Sequence, residues 1–136
     1  MKVLVTGHRG YIGSVMTPML LRAGHTVVGC DSDLYAECTF PAGGPLAAIV
    51  ATQGDVRDIQ REALVGFDAV IHLAALSNDP LGELDPDVTY DVNHRASVRL
   101  AELAKSAGVW RFLFASSCSN YGQAGDDMVS ETSELR

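Results

Sequence analysis

Glycines at positions 7, 10 and 13, within VTGHRGYIG (5–13), follow directly on a short apolar run that opens the chain. Taken alone the spacing is weak evidence, because the same glycines would serve a bare turn between a strand and a helix. Placed between a strand and a helix start, they do more. They permit a tight turn and let a phosphate approach the backbone without meeting a Cβ, while the unpaired N–H groups of the helix start face the anion. The chemistry expected of this loop is the cradling of a pyrophosphate. Asp31 stands 18 residues beyond Gly13, at the end of a second apolar run. A carboxylate there accepts hydrogen bonds from both hydroxyls of an adenosine ribose and repels a 2′-phosphate, which favours NAD over NADP. Arg9, inside the glycine loop, pulls the other way as a cation beside the ribose, although it also reads as a solvated arginine or a helper on the pyrophosphate.

Such residues work together only if their carriers end at one common edge. Residues 2–6 form an apolar run short enough for a buried strand. Ile12, Val15, Met16, Met19, Leu20 and Ala23 then recur at helical spacing until Gly24, with Pro18 inside the helix and expected to kink it. TVVGCD (26–31) is the second strand, PAGGP (41–45) a loop, and residues 48–52 a third strand leading to Gly54 and Asp55. Residues 58–65 suggest a short helix closed by Gly66, and DAVIH (68–72) a fourth strand. The acidic stretch 77–85 reads as a solvated loop. Asp85 caps and Pro86 opens the longest helix, which is expected to run to Gly108 with an apolar stripe of Val92, Ala96, Leu100, Leu103, Ala104 and Ala107. RFLFA (111–115) is a fifth strand, and a polar stretch follows it. Near-continuous apolar strands alternating with helices imply an α/β doubly wound parallel sheet, with strand order 3-2-1-4-5.

Length and composition narrow the partners. The 136 residues suit one domain, and 47% hydrophobic with 20% charged residues is the composition of an ordinary globular protein. The net charge of −7 and ten scattered Lys and Arg residues speak against nucleic acid, which requires clustered cations. No apolar run approaches the roughly 18 residues of a membrane span, and the N-terminus lacks the pattern of a signal peptide, so no membrane partner and a cytoplasmic location are expected. Cys30, Cys38 and Cys118 are odd in number and without metal-knuckle spacing, so no disulfide and no metal site is expected.

In order along the whole chain, TGHRGYIG at 6–13, Asp31, DVRD at 55–58, HLAA at 72–75, Asn93 and SSCSNYG at 116–122 resemble the extended short-chain dehydrogenase/reductase family. Within it the resemblance is to the NAD-dependent nucleotide-sugar epimerases and dehydratases, which have a Rossmann fold. Residue by residue, the resemblance implies that Gly7, Gly10 and Gly13, with the backbone of Tyr11 and Ile12, hold the pyrophosphate and Asp31 the adenosine ribose. It implies that Asp55 meets the adenine amino group, with the backbone of Val56 beside it. Leu73, Ala74 and Ala75 match the turn that passes under the cofactor, and Asn93 matches a helical asparagine that supports the site near the catalytic tyrosine. Ser117, four residues before Tyr121, matches the hydroxyl that hydrogen-bonds the sugar hydroxyl or ketone, and Ser116 would face the cofactor. The dehydratases carry an acidic pair directly after that serine; Cys118 and Ser119 stand there instead, which puts an epimerase or simple reductase ahead of a dehydratase. His72 reads as a buried strand-end histidine, and Cys118, with nothing basic beside it, as a passive thiol.

The family's Tyr-x-x-x-Lys pair has no match. Four residues beyond Tyr11, Tyr35, Tyr90 and Tyr121 stand Val15, Thr39, His94 and Gly125, and the lysines are Lys2 and Lys105. The expectation is therefore a cofactor-binding N-terminal portion of a longer pattern, truncated before the catalytic helix and the nucleotide-sugar substrate domain, and inactive by itself. The alternative is a non-catalytic NAD-binding module or sensor. The resemblance also implies a homodimer formed through the 86–107 helix, with apolar surface left uncovered beside it.

Overall fold

The computed structural model describes residues 1–36, 49–77, 79–122 and 128–135. Five parallel strands, β1 (Lys2–Thr6), β2 (Thr26–Asp31), β3 (Val50–Gln53), β4 (Ala69–His72) and β5 (Arg111–Phe114), form one sheet in the order β3-β2-β1-β4-β5. This is the doubly wound order expected, with the direction of winding reversing between β1 and β4. Val5 pairs with Gly29 on one side and Ile71 on the other, which places β1 at the centre.

Side chains alternate across this sheet because the strand period is two. Val3, Val5, Val27, Ala69 and Ile71 face the helix α1 (Tyr11–Arg22), where Met16, Leu20 and Leu21 pack on them. Leu4, Cys30 and Val70 face the opposite side, against Leu64, Leu100, Ala96 and Ala104. α1 runs on through Pro18 as one helix. Its apolar stripe divides: Met16 and Leu20 meet the sheet, while Tyr11, Ile12, Val15 and Met19 are exposed.

Several expectations are corrected. The third strand begins at Val50, two residues later than expected, and ends at Gln53, one residue later, while residue 48 and the loop at 41–45 lie outside the described residues, as does Cys38. The helix expected over 58–65 is two separate 3₁₀ turns, Val56–Asp58 and Arg61–Leu64, with Ile59 and Gln60 between them at ψ 127° and 157°. Tertiary hydrogen bonds explain the break: Arg99 donates to the carbonyls of Arg57 (3.0 Å) and Ile59 (2.8 Å), acceptors that a continuous helix would have used itself. The acidic loop at 77–85 contains a helix, α2 (Asp79–Leu84).

The long helix has its expected start. Asp85 accepts from the amide of Val88 at 3.0 Å, and Pro86 occupies the first turn. It is, however, interrupted: α3 (Pro86–Tyr90) and α4 (Ala96–Ser106) are joined by a π-helical turn at Asp91–Arg95. Its apolar stripe packs as expected, with Ala96, Leu100 and Ala104 buried and Val92, Leu103 and Ala107 partly so. Among the described residues no helix is long and apolar enough to cross a membrane.

Candidate functional site

Parallel pairing brings the carboxyl ends of all five strands to one edge, so Gly7, Asp31, Gly54, Leu73 and Ala115 each follow or end a strand there. The glycine loop crosses this edge from β1 to α1. Its first glycine has φ +71°, donates its amide to the carbonyl of Cys30 at 2.8 Å, and would place a Cβ 2.8 Å from the amide of Ala74. Gly13 is tighter still, because its Cβ would stand 2.3 Å from the carbonyl oxygen of Gly7. Gly10 differs. A Cβ there would meet only Gly7's own carbonyl, at 3.3 Å, and otherwise points into open space. The first and third glycines are therefore demanded by backbone packing, and the second leaves an outer surface free for a ligand. Gly10 is also the N-cap of α1 and has no side chain to cap it, so the amides of Tyr11, Ile12 and Gly13 have no intrahelical carbonyl. The first turn carries no acidic residue. The macrodipole and these free amides make the loop receptive to an anion.

At the end of β2 the Asp31 carboxylate is held by two backbone amides, Arg9 to one oxygen and Asp33 to the other, both at 2.9 Å. Each oxygen keeps a lone pair that could accept a hydroxyl. Asp33 in turn forms an ion pair with the Arg9 guanidinium. His8 lies beneath, 2% exposed, with its ring where a Cβ on Gly29 would have been (2.5 Å) and its Nδ1 4.0 Å from Asp31. Burial holds the His8 pKa below the ordinary histidine value despite the neighbouring carboxylate, so the ring is uncharged at neutral pH. A cavity of about 110 Å³ opens among His8, Arg9, Asp31, Asp33, Thr52 and Gln53.

Asp55 and Val56 follow β3. Both oxygens of Asp55 are taken by the Arg57 guanidinium, at 3.0 and 2.7 Å, and its Oδ1 also accepts the Arg57 amide at 2.8 Å. These hydrogen bonds, chiefly the side-chain pair, hold its pKa below the usual carboxylate range. A base amino group reaching Asp55 must share it with Arg57. Val56 is buried and fixes the turn.

At the end of β4 a chain of hydrogen bonds links three elements. Ser97 donates its only proton to the Asn93 carbonyl (2.7 Å), so it must accept from His72 Nε2 (2.8 Å). His72 Nδ1 is then an acceptor and takes the Thr6 hydroxyl at 2.6 Å, while Thr6 Oγ1 lies 3.4 Å from the Ala74 amide. Asn93 uses both ends of its amide on Leu76, accepting from its N–H and donating to its C=O, each at 2.8 Å. The π turn adds a residue to the helix just where Asn93 makes this reach. The turn 73–76, which carries Leu73, Ala74 and Ala75, is thus held from below by Thr6 and from the side by Asn93. His72 is 1% exposed and its pKa is lowered to about 4 by burial, as fits a buried neutral strand-end histidine.

Ser116 and Ser117 follow β5, anchored where the Ala115 amide donates to the His72 carbonyl at 3.1 Å. Both serines are exposed. Ser117 caps a 3₁₀ turn, Cys118–Tyr121, accepting the Ser119 amide at 3.1 Å, while Ser116 Oγ accepts from Asn120. The topology sets them at the same edge as the glycine loop, with no hydrogen bond between the two among the described residues. Thr6, His8, Asp33, Arg57 and Ser97 were not singled out as site residues by sequence. For His8 the signal was Gly29, a glycine within an otherwise apolar strand, which marks a close neighbour.

Comparison with known proteins agrees with this arrangement. The chain is 34% identical over 140 residues to a UDP-glucose 4-epimerase of Streptomyces lividans, covering 99% of this chain and 41% of that protein. It is 35% identical over 131 residues to a UDP-glucose 4-epimerase of Klebsiella pneumoniae, covering 90% of this chain and 93% of the relative. Among solved structures, UDP-glucose-4-epimerase from Stenotrophomonas maltophila with bound NAD and formylated UDP-arabinopyranose superimposes with a TM-score of 0.84 at 32% identity, over all of this chain and 43% of that one. The chain thus spans about two fifths of the S. lividans and S. maltophila proteins. A model of the NAD dependent epimerase/dehydratase family matches residues 3–136, and with the strand order, the glycine loop and these relatives it establishes that the chain belongs to that family.

Proposed function

We propose that the chain is the NAD-binding part of a nucleotide-sugar epimerase or reductase that acts by hydride transfer at a sugar carbon. The observation that carries this reading is the glycine loop: Gly7 and Gly13 are compressed against backbone, and Gly10 leaves open the uncapped start of α1. A pyrophosphate fits there, and Asp31, with a lone pair free on each oxygen, fits the adenosine ribose. Asp55 and Val56 take the adenine end. Leu73, Ala74 and Ala75, fixed by Thr6 and Asn93, form the small-residue floor beneath the nicotinamide half, with Ser116 beside it. Bound NAD supplies the hydride acceptor. Ser117 then holds the sugar hydroxyl or ketone by a hydrogen bond and orients it.

Moving the proton of that hydroxyl needs a general base, which the family supplies with a Tyr-x-x-x-Lys pair absent from these 136 residues. We therefore read this chain as binding NAD without turnover when alone. The absence equally favours a second reading, a non-catalytic NAD-binding module. A dehydratase is disfavoured by Cys118 and Ser119 in place of an acidic pair. Exposed Val88, Tyr90 and Val98 on α3 and α4 support docking of a second copy along that helix.

The test is calorimetric titration with NADH. Asp31→Ala is expected to weaken binding about 150-fold or more, the equivalent of losing two hydrogen bonds to a charged acceptor, while the thermal midpoint is monitored to confirm folding. Equal affinity in the variant, or no binding by the parent chain, overturns the reading.

A further inference from the structure

We propose that Asp33 sets the choice between NAD and NADP by holding the Arg9 guanidinium away from a 2′-phosphate. The inference rests on the dinucleotide reading of the same site. Among the described residues Arg9 is the only arginine or lysine lining the cavity beside the Asp31 carboxylate, and it is positioned by the loop itself, since its amide donates to Asp31 at 2.9 Å. A free arginine in that place would offer a phosphate two parallel donors. Here the guanidinium is already engaged, paired with Asp33.

The pair is asymmetric. The Asp33 side chain is 15% exposed and the Arg9 side chain 47%, so the carboxylate is the fixed member and the guanidinium the movable one. Asp33 is fixed by its backbone, which adopts φ +61°, the one non-glycine residue with positive φ among those described. That left-handed turn lets its amide reach Asp31 Oδ1 at 2.9 Å and returns its side chain toward the glycine loop. Strained backbone of this kind persists where the surroundings impose it, and it concentrates at functional sites. The second oxygen, Asp33 Oδ1, is buried with no hydrogen-bond partner. Asp31 and Asp33 together put two negative charges against the single positive charge of Arg9, so the cavity is net anionic and repels a phosphate dianion. Removing the Asp33 charge both lowers this repulsion and frees the guanidinium to bind.

The experiment measures NADH and NADPH affinity by calorimetry for the parent chain, Asp33→Asn, Asp33→Gly and the double variant Arg9→Ala/Asp33→Asn. Asparagine and glycine both tolerate the left-handed backbone, so these variants keep the turn. The ratio of NADPH to NADH affinity is expected to rise about tenfold in both single variants. It should fall back toward the parent value in the double variant, because the gain runs through Arg9. NADH binding by the parent with an unchanged ratio in both single variants overturns the role of Asp33, as does a gain that survives loss of Arg9. A parent chain that binds neither dinucleotide sinks the underlying reading and this inference with it.

Discussion

Gly13→Ala is expected to destabilise the chain by about 3 kcal/mol or more, the largest effect of any single methyl group added to the site. The new Cβ would lie 2.3 Å from the Gly7 carbonyl oxygen and 2.6 and 2.7 Å from the Cα and carbonyl carbon of His8. All three are backbone atoms of the turn that joins β1 to α1, so none can swing aside as a flexible side chain would. Relief requires α1 to move off the sheet, which would uncover Val3, Val5 and Val27. Gly10→Ala makes the comparison: its Cβ stands 3.3 Å from one oxygen and meets nothing else, so stability should change by roughly 1 kcal/mol or less while NADH binding weakens. Chemical denaturation with parallel NADH titration separates the two. Equal denaturation midpoints for Gly13→Ala and the parent chain would show that the loop does not pack as described.

Acid is expected to destabilise the fold through His72 by about 3 kcal/mol between pH 6.5 and 4. The sign follows from the direction of the shift. Burial lowers the His72 pKa from 6.5 to about 4 in the folded chain, so within that window the unfolded chain binds the extra proton. Stability is complete above pH 6.5 and falls as the pH drops toward 4. Protonation would also put a proton on Nδ1, which accepts the Thr6 hydroxyl, breaking the chain of donors that runs to Ala74. His8, lowered for the same reason, adds with the same sign, and Asp55 acts the same way at lower pH. Urea midpoints measured from pH 7.5 to 4 on the parent chain and on His72→Gln isolate the His72 share. An identical pH slope in the two would remove His72 from the account.

Much of the fold was legible because the code was local. Five apolar runs of strand length, four of them closed by a glycine, an aspartate or a polar turn, state their own period, and a parallel sheet follows from the helices between them. Asp85 with Pro86 signalled its helix start through the chemistry of unpaired amides, and the Asp85 hydrogen bond to Val88 is the result. Two of the misread elements share one cause. Residues 58–65 have the composition of a short helix, yet Arg99, some forty residues away, takes the carbonyls that such a helix needs. The π turn at Asp91–Arg95 has no signature in its own residues either. It accompanies the reach of Asn93 to Leu76, 17 positions earlier.

The candidate site divides along the same line. By itself the sequence singled out the residues proposed to meet a dinucleotide, because glycine spacing and a carboxylate at a strand end express steric and hydrogen-bonding requirements carried by single residues. Only the tertiary structure decided how those residues are held. Gly7 needs its missing Cβ because the backbone of Ala74 lies 2.8 Å from where that atom would be. Asp55 is bound by Arg57, and Arg9, which the sequence reads as the one residue pulling toward NADP, is paired with Asp33. Pairings of this kind depend on distances between residues far apart in the chain or on a turn such as the left-handed one at Asp33. Folding sets those distances, and no residue type announces them.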